Sequence, residues 1–309
     1  MRYPIEKKLV VGVSTNALFN LEIEDKIFTE EGTEKYRIFQ EENKNKILEK
    51  GLAFPFIRRF LNINNVFPEE KPVEVVLLSK NSAETGVRAF NSIKEYNLDI
   101  TRAAFTSGKS PYQYIPAFNI SLFLSTNSND VKNAINLNYP AGIVLKTDIH
   151  DNEDDIELRI AFDFDGVIAD DSSEKIYQEK GRLSDFEDYE KMHKDEPINN
   201  GLLADFLKKI SYFQKLENKK KDNDKDYKQI LRTAIITARS APTHERAINT
   251  LKNLEVDVDE MFFLGGIEKK RILEVLKPHL FIDDQIGHLD KTIIDVPLVH
   301  IPFGIVNKK

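Results

Sequence analysis

The segment RIAFDFDGVIADDSSE, residues 159–174, places two aspartates, Asp163 and Asp165, at the exit of the most hydrophobic strand the chain offers. Ile160, Ala161 and Phe162 lead into the pair and Val167 and Ile168 follow it. Carboxylates are costly in such surroundings unless something compensates their charge. Two acids at the end of a buried strand therefore ask what they hold.

Working outward, short β-branched runs alternate with longer stretches of helical periodicity, the signature of a parallel sheet with helices on its faces. The predicted strands are KLVVGVS (8–14), VEVVLLS (73–79), ISLFLS (120–125), LRIAFDFD (158–165), RTAIIT (232–237), HLFIDD (279–284) and PLVHIP (297–302). SAETGVRAFNSIKEYN (82–97) and SAPTHERAINTLKNLE (240–255) carry apolar residues at helical spacing, and the lysine-rich 215–228 reads as a solvated loop.

The two helical stretches resemble each other. Displacing the chain by 158 positions pairs Ser82-Ala83 with Ser240-Ala241, Arg88-Ala89 with Arg246-Ala247, Asn91 with Asn249, Gly108 with Gly266 and Leu122-Phe123 with Leu280-Phe281. An offset of 149 lays VSTNALF (13–19) over FDFDGVI (162–168). The chain thus reads as a duplicated α/β unit, residues 1–150 and 151–309, split near the acidic 146–157. Asp163 and Asp165 fall on Ser14 and Asn16, Asp283 and Asp284 on Ser125 and Thr126, and Thr237 on Ser79, so the first unit lacks every one of these acids.

In the second unit Asp163, Asp165, Thr237, Asp283 and Asp284 all follow predicted strands, with Lys269 between the last two motifs. Open parallel sheets place their sites at those ends. Carboxylates brought together repel unless a cation lies among them, and an all-oxygen set without cysteine or a histidine cluster points to Mg²⁺, with Asp163, Asp165, Asp283 and Asp284 as metal acids. Phosphoryl transfer fits: Asp163 as nucleophile, Asp165 as acid and base, Thr237 and Lys269 on the phosphoryl oxygens.

DFDGVIAD with IITARS, GGIEKK and FIDD resembles the four ordered motifs of the haloacid-dehalogenase-like (HAD) phosphatase superfamily. VSTNALFN, LLSKNSAETGVRAFNSI, FTSGKSPYQYIPAF, TARSAP and FIDDQIGHL more narrowly resemble the cytosolic 5'-nucleotidase type I family, along nearly the whole chain. The resemblance implies a Rossmann-like HAD core and Mg²⁺-dependent hydrolysis of nucleoside 5'-monophosphates such as AMP or IMP by a homo-oligomer. Carried over, it implies phosphate contacts from Thr237 and Lys269; Ala238, Arg239 and Ser240 follow Thr237 directly and are further candidates for substrate contact, the arginine being equally suited to pair with a structural carboxylate. Where some members read FDGDAV, this chain reads FDFDGV, the commoner superfamily form, which bears on substrate preference rather than on the chemistry. The alternatives are a phosphatase for another small phosphoester, such as a sugar phosphate, and a nucleotide-binding regulator.

The segment from about 171 to 228 is the expected helical cap, in which 201–216 packs on the core and 173–193 covers the site. Of the six histidines none has metal spacing with another, and only His288, beyond the acid pair, is a candidate for function. A net charge of -7 argues against a nucleic-acid polymer or an anionic membrane as partner, and the absence of cysteine excludes disulfides and thiolate metal sites. With no signal-like start and no run near the ~20 apolar residues of a membrane helix, the expectation is a soluble cytoplasmic protein.

Overall fold

Strand and helix periods separate cleanly in the computed structural model, which describes residues 3–84, 86–290 and 296–307. Thr85, inside the predicted 82–97 helical stretch, lies outside them. The chain divides between Val144 and Leu145 into two compact units.

The first unit runs β1 (Leu9–Ser14), α1 (Thr15–Leu18), β2 (Phe19–Asn20), α2 (Glu22–Glu31), α3 (Thr33–Glu42), β3 (Glu49–Lys50), α4 (Phe54–Val66), β4 (Val73–Ser79), α5 (Gly86–Glu95), β5 (Arg102–Phe105), β6 (Ile120–Ser125), α6 (Ser128–Asn136) and β7 (Ala141–Val144). Its main sheet has the order β5-β4-β1-β6-β7, every neighbouring pair parallel. β1, β4 and β6 are buried at every position, as strands covered on both faces must be.

The second unit runs β8 (Leu158–Phe162), α7 (Ser172–Lys180), α8 (Leu183–Met192), α9 (Ala204–Asn223), β9 (Leu231–Thr237), α10 (His244–Asn253), β10 (Glu260–Phe263), α11 (Lys269–Leu276), β11 (Leu280–Asp283) and β12 (Leu298–His300). Its sheet order, β10-β9-β8-β11-β12, is again all parallel and repeats the first unit's connectivity strand for strand. The order grows outward from β8 through β9 to β10, then returns to the other side of β8 for β11 and β12. Right-handed crossovers put the two sets of connections on opposite faces, so a switch point opens between β8 and β11, where ligands bind in this architecture.

Side-chain hydrogen bonds repeat as well. Arg88 Nε donates to the Lys46 carbonyl at 2.8 Å and Arg246 Nε to that of Glu196 at 2.9 Å. Asn91 Nδ2 reaches the Lys44 carbonyl at 2.8 Å and Asn249 that of Lys194 at 2.9 Å. The Leu48 N–H donates to Ser92 Oγ and the Ile198 N–H to Thr250 Oγ1. These bonds require an offset of 150 for residues 40–50, between the 149 and 158 seen at either side. The helical hairpin α7–α8 has its counterpart in α2–α3 and therefore belongs to the repeat.

Two sequence readings shift. The lysine-rich stretch begins inside α9, which continues to Asn223 because its Lys, Glu and Gln residues are good helix formers. The edge strands β5 and β10 and the short β7 are absent from the predicted set. Four residues each, β5 and β10 being half-buried throughout, they lack the long apolar runs that mark the central strands.

The close approach of residue 201 to the loop after β8 depends on a missing side chain. A Cβ on Gly201 would lie 2.5 Å from the carbonyl oxygens of Val167 and Ala169, as one on Gly51 would lie 2.7 Å from that of Ala17. Gly201→Ala must push backbone apart and is expected to lower stability by about 1–3 kcal/mol; a urea unfolding midpoint equal to wild type would contradict the packing described.

Candidate active site

β8 and β11 are hydrogen-bonded neighbours with Phe162 level with Ile282, so Asp163 and Asp283 leave the sheet side by side. The Asp163 N–H donates to the Ile282 carbonyl at 2.8 Å, which locks that register. Between the two carboxylates sits Lys269, the first residue of α11, its Nζ 2.8 Å from Asp163 Oδ2 and 2.6 Å from Asp283 Oδ2. All three are buried. Lys270 turns away to Asp290 at 3.2 Å, which separates the two adjacent lysines.

Each acid also accepts a backbone bond. Phe164 N–H donates to Asp163 Oδ1 at 2.7 Å, Gln285 N–H to Asp283 Oδ1 at 2.8 Å. A ring nitrogen of His288 approaches the Asp283 carboxylate at 3.3 Å, and Asp163, Asp283 and His288 form a compact set of potential metal donors. Asp284, next along, differs: its Oδ1 is buried and has no hydrogen-bond partner. Gly166, at φ +75°, makes room for it, since a Cβ there would fall 2.3 Å from Asp284 Oδ2. His300 Nε2 and Asn307 Nδ2 both reach the Asp284 backbone carbonyl at 2.9 Å and fix the turn that carries it.

The charges are unbalanced. Three buried carboxylates share one lysine, and the consequences follow the solvation of each group. Burial pushes Asp163 up to about 7, with Lys269 opposing and the charge of Asp283 adding to the rise. Asp284 rises further, to about 9, through burial and then the charges of Asp163 and Asp283. Burial would raise Asp283 too, but Lys269 and His288 outweigh it and hold that carboxyl below its ordinary value. Lys269, which burial alone would lower, is raised by the same two aspartates. Two buried acids that resist ionising, one of them with an orphaned carboxylate oxygen, are what an oxygen-donor site for a cation looks like before the cation's charge is counted.

Asp165 is placed differently. Its carboxylate turns to Arg239, which grips it with Nε at 2.8 Å and Nη2 at 2.7 Å. Arg239 is buried and also bonds Ser173 Oγ at 2.7 Å, the Thr243 carbonyl at 3.2 Å and Glu190. Thr237, at the end of β9, is buried with its hydroxyl accepting the Arg239 N–H at 3.2 Å. Ala238 is exposed and Ser240 half-buried on the same loop. The structure thus gathers Asp163, Lys269, Asp283 and Asp284, while Arg239 is engaged with side chains of its own unit. Sequence reasoning missed Glu190 altogether, because neither offset used there aligned it with Gln40; the intermediate offset of 150 does.

The sequence model of the 5'-nucleotidase family matches residues 1–308. The chain belongs to the 5'-nucleotidase family. Human cytosolic 5'-nucleotidase 1B is 34% identical over 294 residues, covering 91% of this chain and 47% of that protein. This member of the family therefore spans about half the length of the curated relative it matches. Among solved structures the S. aureus MnaA-UDP co-structure aligns over 92% of this chain and 76% of its own, at 10% identity and a TM-score of 0.19, too low to indicate a shared fold. Among the described residues no helix is long and apolar enough to cross a membrane.

Raised values for Asp163 and Asp284 mean that the folded, metal-free protein holds protons the unfolded chain has released. Their contribution to stability is full below the ordinary carboxylate value of 3.8 and is lost as the pH rises through about 7 and then about 9. In EDTA, the melting temperature of Asp284→Asn is expected to fall less than that of wild type between pH 7 and pH 9, and a divalent cation should flatten the wild-type curve. Thermal melts across that range that run parallel for the two proteins would refute the charge imbalance.

Proposed function

We propose that this chain is a Mg²⁺-dependent phosphoric monoester hydrolase acting on nucleoside 5'-monophosphates, AMP- or IMP-like, through an aspartyl-phosphate. The observation that carries the reading is the pairing of Asp163 with Lys269 at the switch point of the second sheet, beside an acid with an unsatisfied buried oxygen, in a chain of the 5'-nucleotidase family.

In this reading an Asp163 carboxylate oxygen attacks phosphorus, the bond from phosphorus to O5' of the nucleoside breaks, and Asp165 delivers the proton that the departing oxygen needs. Water then attacks the phosphorus of the aspartyl-phosphate, Asp165 takes its proton, and Asp163 is regenerated as inorganic phosphate leaves. Lys269 keeps Asp163 oriented in the resting site and offers its charge to the phosphoryl oxygens. Thr237, at the neighbouring strand end, and the backbone of Ala238, Arg239 and Ser240 lie on the loop that would border the phosphoryl group. Asp163 and Asp284 would hold Mg²⁺, with Asp283 supporting through Lys269 and through water; the ion would supply the positive charge the three acids lack. Burial of Asp163 excludes competing water from the nucleophile. Cytosolic action matches the name of the human relative.

Phosphate release should be measured on nucleoside 5'-monophosphates, 3'-monophosphates and sugar phosphates, with Mg²⁺ and with EDTA. The expected outcome is metal-dependent release confined to the 5'-monophosphates, and a loss of at least about 10³-fold in kcat for Asp163→Asn with the fold intact. Sugar phosphates turning over faster would reassign the substrate; near-wild-type turnover by Asp163→Asn would remove the mechanism.

A further inference from the structure

A second cluster of charges in the second unit lies beside the Asp163–Lys269–Asp283 group. Arg239 joins Asp165 on one side to Glu190 of α8 on the other, and Glu190 also takes Arg246 Nη1 at 2.9 Å. Glu190 has no exposed side-chain surface, and Arg239 and Arg246 stack over Phe164 and Tyr189 at 5.4 and 5.6 Å. Burial would lower the Arg239 guanidinium, but Asp165 and Glu190 outweigh it and hold it above the ordinary arginine value.

The first unit is a control built into the same chain. Arg246 and Tyr189 have scaffold counterparts there, Arg88 stacked over Phe39 at 5.8 Å. The other three positions change together: Asp165 becomes Asn16, Arg239 becomes Asn81 and Glu190 becomes Gln40, each exchange neutral. Gln40 still approaches Arg88, at 3.5 Å, while the countercharge for Arg88 comes from Glu24 at 2.6 Å. Glu24 occupies the place of Ser173, as the matching C-caps Gly32 and Gly181 align the two helices. One arginine with one acid is therefore all the scaffold asks for. In the second unit that acid has moved to the residue from which it reaches Arg239 as well.

We propose that Arg239 and Glu190 are positioning residues for Asp165: Glu190 on the buried face of α8 fixes the Arg239 fork, and the fork fixes the carboxylate that moves the proton. This rests on the reading of Asp165 as acid and base. Arg239 then acts through Asp165 and contributes to the substrate loop by its backbone alone. A bidentate grip from a planar guanidinium defines the carboxylate plane, which a lysine cannot do.

Two variants of the full chain test it. Glu190→Gln gives Arg239 and Arg246 the amide found in the first unit; Arg239→Lys keeps the buried charge balance and removes the fork, so it is expected to fold even if Glu190→Gln does not. Each is assayed on a nucleoside 5'-monophosphate, whose alkoxide must be protonated, and on 2,4-dinitrophenyl phosphate, whose phenolate leaves without a proton. The expected result is a kcat loss of about 10- to 100-fold on the nucleotide with KM within about threefold, and a first-turnover burst of dinitrophenolate slowed by less than about threefold. In the Asp165→Asn background neither variant should cost nucleotide turnover further. Equal losses on both substrates would make the network structural, a rise in KM alone would return Arg239 to the substrate, and wild-type rates would dismiss the proposal. If wild type itself fails to release phosphate from nucleotides, or Asp163→Asn retains activity, the underlying reading fails and the inference with it; intact behaviour of those two proteins isolates a failure of the inference.

Discussion

Lys269 is inserted between Asp163 and Asp283 where water is excluded, and the architecture of the second unit can be traced to the demands of that arrangement. A buried ammonium and two buried carboxylates are tolerable only if their geometry is fixed, because the cost of desolvating them is recovered only at short range. The register of β8 on β11 supplies the fixed spacing of the acids, and α11, starting at Lys269, supplies the cation. One lysine is still too few for three acids. The acid left uncompensated is Asp284, which burial and its neighbours' charges hold protonated up to about pH 9 and whose Oδ1 has no hydrogen-bond partner.

The internal repeat separates what an acid does for the fold from what it does for chemistry. Asp283 accepts the N–H of Gln285, and its counterpart Ser125 accepts that of Asn127 at 3.1 Å. Thr237 accepts the N–H of Arg239, and its counterpart Ser79 that of Asn81 at 3.1 Å. Ser14, in the place of Asp163, accepts the Ala17 N–H at 3.2 Å and caps a short helix. Turning the backbone at a strand end thus needs an oxygen acceptor, and a hydroxyl suffices. The charge that the second unit adds is surplus to the turn.

Much of this was legible in the sequence because it depends on local pattern. The strands at 73–79 and 120–125 coincide with β4 and β6, and Asp163, Thr237 and Asp283 lie at the ends of β8, β9 and β11, whereas Lys269 opens α11. Convergence of those ends follows from strand order, which the α/β alternation and the placement of sites in parallel sheets already constrain. What stayed hidden was set by tertiary context. Edge strands carry half-buried side chains and little periodic signal. Glu190 sits among acidic and aromatic residues of α8 in a stretch whose sequence reads only as a cover for the site, and its pairing with two arginines explains its burial. The changing offset between the halves concealed its partner Gln40, since the second unit has one more residue between α7 and α8 than the first has between α2 and α3.

Stability alone would not select the second unit's interior. Replacing buried ion pairs by neutral groups of similar shape is often free or favourable, whereas removing a single partner is costly. The first unit has gone the favourable way at three linked positions, Asn16, Asn81 and Gln40, and keeps the same strand order and the same scaffold hydrogen bonds. The fold is therefore indifferent to the Asp165–Arg239–Glu190 chain as a set, yet each member is unforgiving of losing another. A network that is dispensable as a whole and indispensable in its parts stays charged only where the charge has work to do, and in this unit its free end is the carboxylate two residues beyond Asp163.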